Sequence, residues 1–191
     1  AVNYTSAGTI EFLLTKENEF FFMEMNTRVQ VEHPVTEMIT GIDIIKEQIR
    51  IAFGLPISVR QEEVMIRGHA IECRINAEDP KNGFMPSCGR VNVVHIPGGN
   101  GVRIDSSLYQ DSAMSPYYDS MLGKLVVHGK TRQEAVRKMR RALEEFVIEG
   151  ISTNVGLLYF MMYERAFLKG TYTTDFLEGN LDRIQNLMEQ I

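Results

Sequence analysis

Met23-Glu24-Met25-Asn26-Thr27-Arg28-Val29-Gln30-Val31-Glu32-His33-Pro34 alternates polar and apolar residues as it leaves the aromatic run Phe20-Phe21-Phe22, and it stops at a proline. A period of two is the period of a strand. Pro34 suits the first turn of a helix, where its missing N–H has no intrahelical acceptor to lose. The stretch therefore predicts a strand running into a helix. Upstream, Thr9 to Leu14 is rich in β-branched, aromatic and other apolar residues, and Thr15-Lys16-Glu17-Asn18 is polar with turn character. Together they predict a β-hairpin. Downstream, Val35, Met38 and Ile39 carry the helix to Gly41. Asp43 is placed to cap a second helix bearing Ile45, Ile49, Ala52 and Phe53, which Gly54 and Pro56 stop.

The same hairpin carries the candidate chemistry. With the four polar residues as the turn, Glu11 is expected opposite Phe22 and Glu24 diagonally beside it on one face, with Cβ atoms about 5–8 Å apart. Two carboxylates so close repel unless a cation lies between them, and Mg²⁺ takes oxygens at about 2 Å. Glu11, Glu24 and the amide of Asn26 could thus hold one or two ions. A pair of glutamates facing water is the alternative, because a one-residue shift of the turn separates the two faces. If the strand runs on, Asn26, Arg28, Gln30 and Glu32 share one side. An arginine grips a planar oxyanion through paired hydrogen bonds, and a carboxylate beside it can take that anion's proton. This pattern describes a site for phosphate and a small carboxyl-type substrate, with a salt-bridged edge strand as the plain alternative.

A domain boundary is expected in the polar connector Arg60-Gln61-Glu62-Glu63, dividing the chain into residues 1–60 and 61–191. Beyond it, His69, Ile71, Cys73 and Ile75 alternate with Ala70, Glu72, Arg74 and Asn76, which predicts a strand. Val91 to Ile96 and Val102 to Ile104 flank Pro97-Gly98-Gly99-Asn100-Gly101 and predict a second hairpin. Leu122 to His128 predicts another strand. Thr131 and Glu134 form a capping box for a helix with Ala135, Met139, Ala142, Leu143 and Phe146 on one face and a solvated basic face opposite. Leu157 to Leu168 and Phe176 to Met188 predict two more helices. His33 is expected to position its neighbours, His69 to be a core histidine, Asp119 to brace a loop and the methionines to pack.

The chain's 191 residues, 44% hydrophobic and 24% charged, give a globular class and exclude disorder and a fibrous class. A net charge of −5 gives nucleic acid no general attraction. No apolar run is long enough to span a bilayer, and Ala1-Val2-Asn3-Tyr4 does not resemble a signal peptide, so no membrane partner and a cytoplasmic setting are expected. Cys73 and Cys88 lack metal or disulfide spacing and are expected to be free thiols. The absent initiator Met leads us to expect a piece of a longer protein.

The stretch Met23 to Glu37 resembles the signature of biotin carboxylase within the ATP-grasp superfamily. Arg67-Gly68-His69-Ala70-Ile71-Glu72-Cys73-Arg74-Ile75-Asn76-Ala77-Glu78-Asp79-Pro80 and Pro116-Tyr117-Tyr118-Asp119-Ser120-Met121 are similar to that family's carboxy-terminal domain. The resemblance implies an α/β (α+β) fold: the end of an ATP-grasp domain, then a carboxy-terminal domain with an antiparallel sheet and packed helices. It implies ATP- and bicarbonate-dependent carboxylation of biotin on a carrier protein, with Mg²⁺ or Mn²⁺. By the same resemblance Glu11 and Glu24, with Asn26 beside them, match metal-binding positions and Leu13 matches an apolar contact to adenine. Arg28, Gln30 and Val31 match the bicarbonate site, Glu32 the base that deprotonates bicarbonate, and Arg74 the arginine that steadies the biotin enolate. The implied partners are a biotin carboxyl carrier protein, carboxyltransferase subunits and a second copy of the full-length enzyme.

The acetyl-CoA carboxylase subunit, serving fatty acid synthesis, fits best, with the pyruvate and propionyl-CoA carboxylase modules as close competitors. Another ATP-grasp ligase, such as a carbamoyl-phosphate synthetase, would share the acid pair but not the Gln30-to-Pro34 run or Arg74 in its setting. A non-catalytic carrier-docking domain is the rival from the binding class. Without a glycine-rich phosphate loop or an ATP-binding lysine, the chain alone is expected to bind ATP poorly. Asn100 stands where the family often has an aromatic residue or Pro near the dimer contact, close to Arg103, and Cys88 stands in place of a common Pro.

Overall fold

The computed structural model describes residues 3–189 and falls into two compact units, Ala1–Arg67 and Gly68–Ile191. The first unit holds strands β1 (Thr9–Leu14) and β2 (Phe20–Asn26) and helices α1 (His33–Thr40) and α2 (Ile44–Ala52). The second holds β3 (His69–Asn76), β4 (Glu78–Asp79), β5 (Met85–Pro86), β6 (Gly89–Arg90), β7 (Val93–His95), β8 (Val102–Ser106), β9 (Ala113–Met114), β10 (Met121–Gly129), α3 (Arg132–Glu145), β11 (Val147–Glu149), α4 (Val155–Met161), α5 (Arg165–Lys169) and α6 (Leu181–Met188). All the strand pairs are antiparallel, which gives the expected mixed α/β class.

The first hairpin forms, in a different register from the one read off the sequence. The Thr15 N–H donates to the Glu19 carbonyl at 3.0 Å and the Asn18 N–H to the Thr15 carbonyl at 3.1 Å, so Glu19 joins the turn. Asn18 sits at φ 63°, a left-handed conformation that its short polar side chain tolerates. Leu14 therefore faces Phe20, and Phe12, not Glu11, faces Phe22. The register then slips at a β-bulge: Glu11 faces Glu24, and Met23 is the extra residue of β2.

The strand does not run on to Glu32. β1 begins at Thr9, opposite Asn26, so the residues after Asn26 have no ladder partner. The chain instead curls into a turn, with the His33 N–H on the Gln30 carbonyl at 3.3 Å, and enters α1 with Pro34 in its first turn. Gly41, at φ 75°, closes α1 by donating to the Glu37 carbonyl at 2.8 Å. The Asp43 side chain accepts the Lys46 N–H at 2.8 Å and caps α2, as its position predicts. Ile45 and Ile49 on α2, and Phe53 at its C-cap, are exposed.

In the second unit the main sheet runs β3-β10-β8. Ile71, Cys73 and Ile75 from β3 and Leu125 and Val127 from β10 pack with Ala135, Met139, Ala142 and Leu143 of α3 to make the core. The Thr131 side chain caps α3 by accepting the Glu134 N–H at 3.2 Å. The Glu134 carboxylate takes the Lys130 N–H at 2.9 Å, one residue before the position a capping box uses.

The basic face of α3 is not simply solvated. Arg140 donates twice to the Met162 carbonyl, at 3.1 and 2.7 Å, and lies 3.8 Å from the Tyr163 ring centroid. Lys138 donates to the His128 carbonyl, Arg141 to that of Gly98 and Arg132 to that of Phe167. With the Met162 carbonyl taken by Arg140, the helix expected over Leu157–Leu168 breaks into α4 and α5. The last helix begins at Leu181, not Phe176.

The expected second hairpin does not form. β7 pairs with β11 and β8 with β10, so the Pro97–Gly101 segment turns the chain between two sheets. Gly101, at φ 76°, receives the His128 N–H on its carbonyl at 2.8 Å, and a Cβ there would lie 2.5 Å from the His128 oxygen. The two cysteines are free, Cys73 buried and Cys88 exposed. Burial, with the neighbouring Glu72 charge, pushes the Cys73 thiol up to about 12. Since the thiolate is the reactive form, a disulfide reagent at neutral pH should titrate one thiol per chain in the native protein and two in denaturant. Rapid native reaction of both would contradict this packing.

Candidate functional site

The bulge decides which way Glu24 points. Phe12, Phe20 and Phe22 share one face of the hairpin, with ring centroids 6.2 Å apart and nearly perpendicular in both the Phe12–Phe20 and Phe12–Phe22 pairs. Glu11, one residue from Phe12, lies on the other face. By strict alternation Glu24 would follow Phe20 and Phe22. The extra residue Met23 reverses the phase and brings Glu24 across from Glu11.

The Asn26 side chain completes the arrangement. Its Nδ2 donates to Glu11 Oε1 at 3.0 Å and to Glu24 Oε1 at 2.9 Å, and Gln30 Nε2 approaches Glu11 Oε1 at 3.3 Å. Two carboxylates thus converge on one electropositive amide group. Turning that amide over about its terminal bond would present Oδ1 and set three oxygens around one point, a donor set suited to a hard divalent cation such as Mg²⁺ or Mn²⁺. Among the described residues no group of three or more His, Cys, Asp or Glu is placed to hold a metal. The further ligands would have to be water or substrate oxygens, as is usual for Mg²⁺.

The remaining sequence candidates in the first unit lie on β1 and in the stretch from β2 into α1. Leu13 follows Glu11 on the same face of β1 and is exposed. Arg28 is exposed and donates to the Val29 carbonyl at 3.2 Å. Gln30, Val31 and Glu32 form the turn into α1, and Glu32 is the N-cap residue of that helix. His33 Nδ1 lies 2.7 Å from the Gln30 carbonyl and pins the turn, which suits its expected positioning role. The Gln30-to-Glu11 contact has no signal in the sequence, because a turn and not a shared strand side makes it.

Arg74 belongs to the second unit, on the polar face of β3, with its side chain exposed. Across the ladder it faces Lys124, which in turn faces Asp105. Arg103 grips Asp105 with two hydrogen bonds of 2.8 Å, and Lys124 Nζ lies 3.4 Å from the same carboxylate. The Arg103 hydrogen bonds, with the charges of Arg103 and Lys124, hold the Asp105 carboxyl below its usual range against the effect of burial. Lys124 could have been found from the sequence, since it lies out of phase with the apolar positions of its strand. His69, expected in the core, is only part-buried at the start of β3; its Nε2 lies 3.1 Å from Arg132 Nη1, and burial, then that charge, lowers its pKa.

The model of the family described as "Biotin carboxylase C-terminal domain" matches residues 72–179, and that of "Carbamoyl-phosphate synthase L chain, ATP binding domain" matches residues 1–60. The chain is 54% identical over 179 residues to biotin carboxylase 1 of Bacillus subtilis, covering 93% of this chain and 40% of that protein. It is 49% identical over 177 residues to a pyruvate carboxylase subunit of Methanothermobacter thermautotrophicus, covering 93% and 36%. Among solved structures, the biotin carboxylase domain dimer of the Hydrogenobacter thermophilus 2-oxoglutarate carboxylase, in complex with MgADP, ADP and bicarbonate, superposes with a TM-score of 0.90. It is 47% identical, over 94% of this chain and 40% of that one. The chain belongs to the biotin carboxylase family, whose carboxy-terminal domain follows an ATP-grasp segment. It spans about two fifths of the length of the relatives it matches.

Replacing the shared donor tests the convergence. Asn26→Asp sets a third carboxylate against Glu11 and Glu24 and should lower stability in chelator by about 1–3 kcal/mol, the usual loss when a hydrogen-bond partner is removed. Added Mg²⁺ should restore it, because a ligand bound only to the folded state stabilises that state. Thermal unfolding that shows no loss in chelator, or no recovery with Mg²⁺, would refute the oxygen cluster.

Proposed function

We propose that the whole protein to which this chain belongs carboxylates biotin on a carrier protein, using ATP and bicarbonate. The observation that carries this reading is the convergence of Glu11 and Glu24 on the Asn26 amide in a chain of the biotin carboxylase family. In this reading residues 1–60 end an ATP-grasp domain and residues 61–191 form the carboxy-terminal domain. Glu11 and Glu24, with Asn26 turned to offer its oxygen, would hold Mg²⁺ or Mn²⁺, which when bound neutralises charge on the phosphate oxygens of ATP. Leu13 gives adenine an apolar contact.

Arg28, Gln30 and Val31 bind bicarbonate, and Glu32 takes its proton. The bicarbonate oxygen then attacks the γ-phosphorus and displaces ADP, giving carboxyphosphate. This breaks into CO₂ and phosphate; the phosphate takes the ureido proton of biotin to leave an enolate, whose nitrogen attacks the CO₂ carbon and gives carboxybiotin. Arg74 stabilises the enolate oxygen, a role suited to a fixed cation aimed at an atom that gains negative charge.

For the final acceptor we propose the acetyl-CoA carboxylase system, with carboxyltransferase subunits, a biotin carboxyl carrier protein and a homodimeric, cytoplasmic enzyme. The competing reading, a pyruvate carboxylase module, has its own support in the 49% identity to the Methanothermobacter pyruvate carboxylase chain. Among the described residues no helix is long and apolar enough to cross a membrane.

The roles of Glu32 and Arg74 separate in one experiment on the full-length enzyme. Glu32→Gln should abolish both bicarbonate-dependent ATP cleavage and carboxybiotin formation, since no carboxyphosphate forms. Arg74→Gln should leave ATP cleavage substantial while carboxylation falls by about 10²–10³-fold, the usual loss of one oxyanion-stabilising donor. Phosphate release and carboxybiotin are measured in parallel, and equal losses of both in Arg74→Gln would reject the division of roles.

A further inference from the structure

β3 is an edge strand, paired with β10 on one side only. Backbone groups on the free side of such a strand need other partners. Asn154, 80 residues beyond Arg74, supplies them. Its Nδ2 donates to the Arg74 carbonyl at 3.0 Å and its Oδ1 accepts the Asn76 N–H at 2.9 Å. Its own N–H donates to the Asn76 carbonyl at 3.2 Å. One residue thus imitates a short length of neighbouring strand along Arg74 to Asn76.

Asn154 is also the N-cap residue of α4, where an asparagine side chain ordinarily accepts an N–H of its own helix. Here it makes no such cap bond. The amide is committed to β3, and it is buried, with only 8% of the residue exposed. A local preference is given up for a distant contact that ends on the backbone of Arg74.

The geometry points to Asn154 as a positioning residue for Arg74. This rests on the reading of Arg74 given above. The Arg74 side chain is exposed and long, so its guanidinium can be aimed only if the backbone from which it springs is fixed. β10 fixes one side of that backbone and Asn154 the other. Displacing a group from its productive position by about 1 Å can cost on the order of 10²-fold in rate, so losing this clamp should weaken the step served by Arg74 and leave the others alone.

The test is a double-mutant cycle in the full-length enzyme. Asn154→Asp is isosteric and keeps an acceptor for the Asn76 N–H, but as a carboxylate it cannot donate to the Arg74 carbonyl. Asn154→Ser, too short to bridge, is the second variant in case a buried carboxylate impairs folding. Each should lower carboxybiotin formation by about 10- to 100-fold while bicarbonate-dependent ATP cleavage changes less than threefold. On an Arg74→Gln background the same substitutions should have almost no further effect on carboxylation, because a residue that acts through Arg74 has nothing left to position. Undiminished carboxylation in both Asn154 variants would overturn the inference, and so would equal fractional losses with and without Arg74. An Arg74→Gln enzyme with normal carboxylation would instead overturn the reading of Arg74, and this inference with it.

Discussion

One extra residue sets the character of the first unit. In a regular ladder a side chain's face follows from its distance to any neighbour of known face, so Phe22 would carry Glu24 to the aromatic side. Met23 breaks that rule once. The strand keeps its hydrogen-bonded partner on both sides of the bulge, yet every side chain beyond it changes face. The acid pair, the amide between them and the turn that brings Gln30 onto Glu11 all lie beyond that reversal. The residue at position 23 contributes its backbone, and its side chain lies in solvent.

The second unit rests on a different device. One face of the β3-β10-β8 sheet is apolar and closed by α3, while the other carries Arg74, Lys124 and Asp105 in one row and Glu72, Val126 and Arg103 in the next. Val126 is fully buried on this charged face. The aliphatic stems of long charged side chains can cover such a position while their charged ends stay solvated or paired. Asp105 lies between Arg103 and Lys124 and pairs with both. Over the two rows three cations, Arg74, Lys124 and Arg103, stand against two anions, Asp105 and Glu72.

What the sequence made legible was local. The glycine that closes α1, the Asp43 and Thr131 caps of α2 and α3, and the alternation of β3 depend on residues within a few positions of one another and formed where their patterns placed them. The Glu134 half of the capping box instead closed on Lys130. The register of the first hairpin also did not follow its pattern. Asn18 adopts a left-handed conformation that lengthens the turn by one residue, and Met23 adds another. These two departures offset each other, so Glu11 and Glu24 share a face in a ladder other than the one the spacing suggests.

Alternation after Asn26 looked like a strand, but pairing needs a partner, and β1 supplies none past Thr9. The glycine-rich segment before Val102 looked like a hairpin because nothing local shows that β10 and β11 claim its two flanks. The contacts from Gln30 to Glu11 and from Asn154 to Arg74 cross 19 and 80 residues, and no periodicity marks them.

The cations of α3 have a consequence for the protein's response to ionic strength. Arg132, Lys138, Arg140 and Arg141 each end on a backbone carbonyl of another segment: Phe167, His128, Met162 and Gly98. Mobile ions screen the attraction between separated charges over about 10 Å at 0.1 M salt, but they act weakly on a part-buried hydrogen bond to a neutral acceptor. Three of these bonds, from Arg132, Lys138 and Arg140, are part-buried and hold the helix to its neighbours by contacts that added salt scarcely weakens, whereas exposed pairs such as Arg90 with Asp111 lose their attraction. Salt would loosen the rim of this unit and leave its centre as it is.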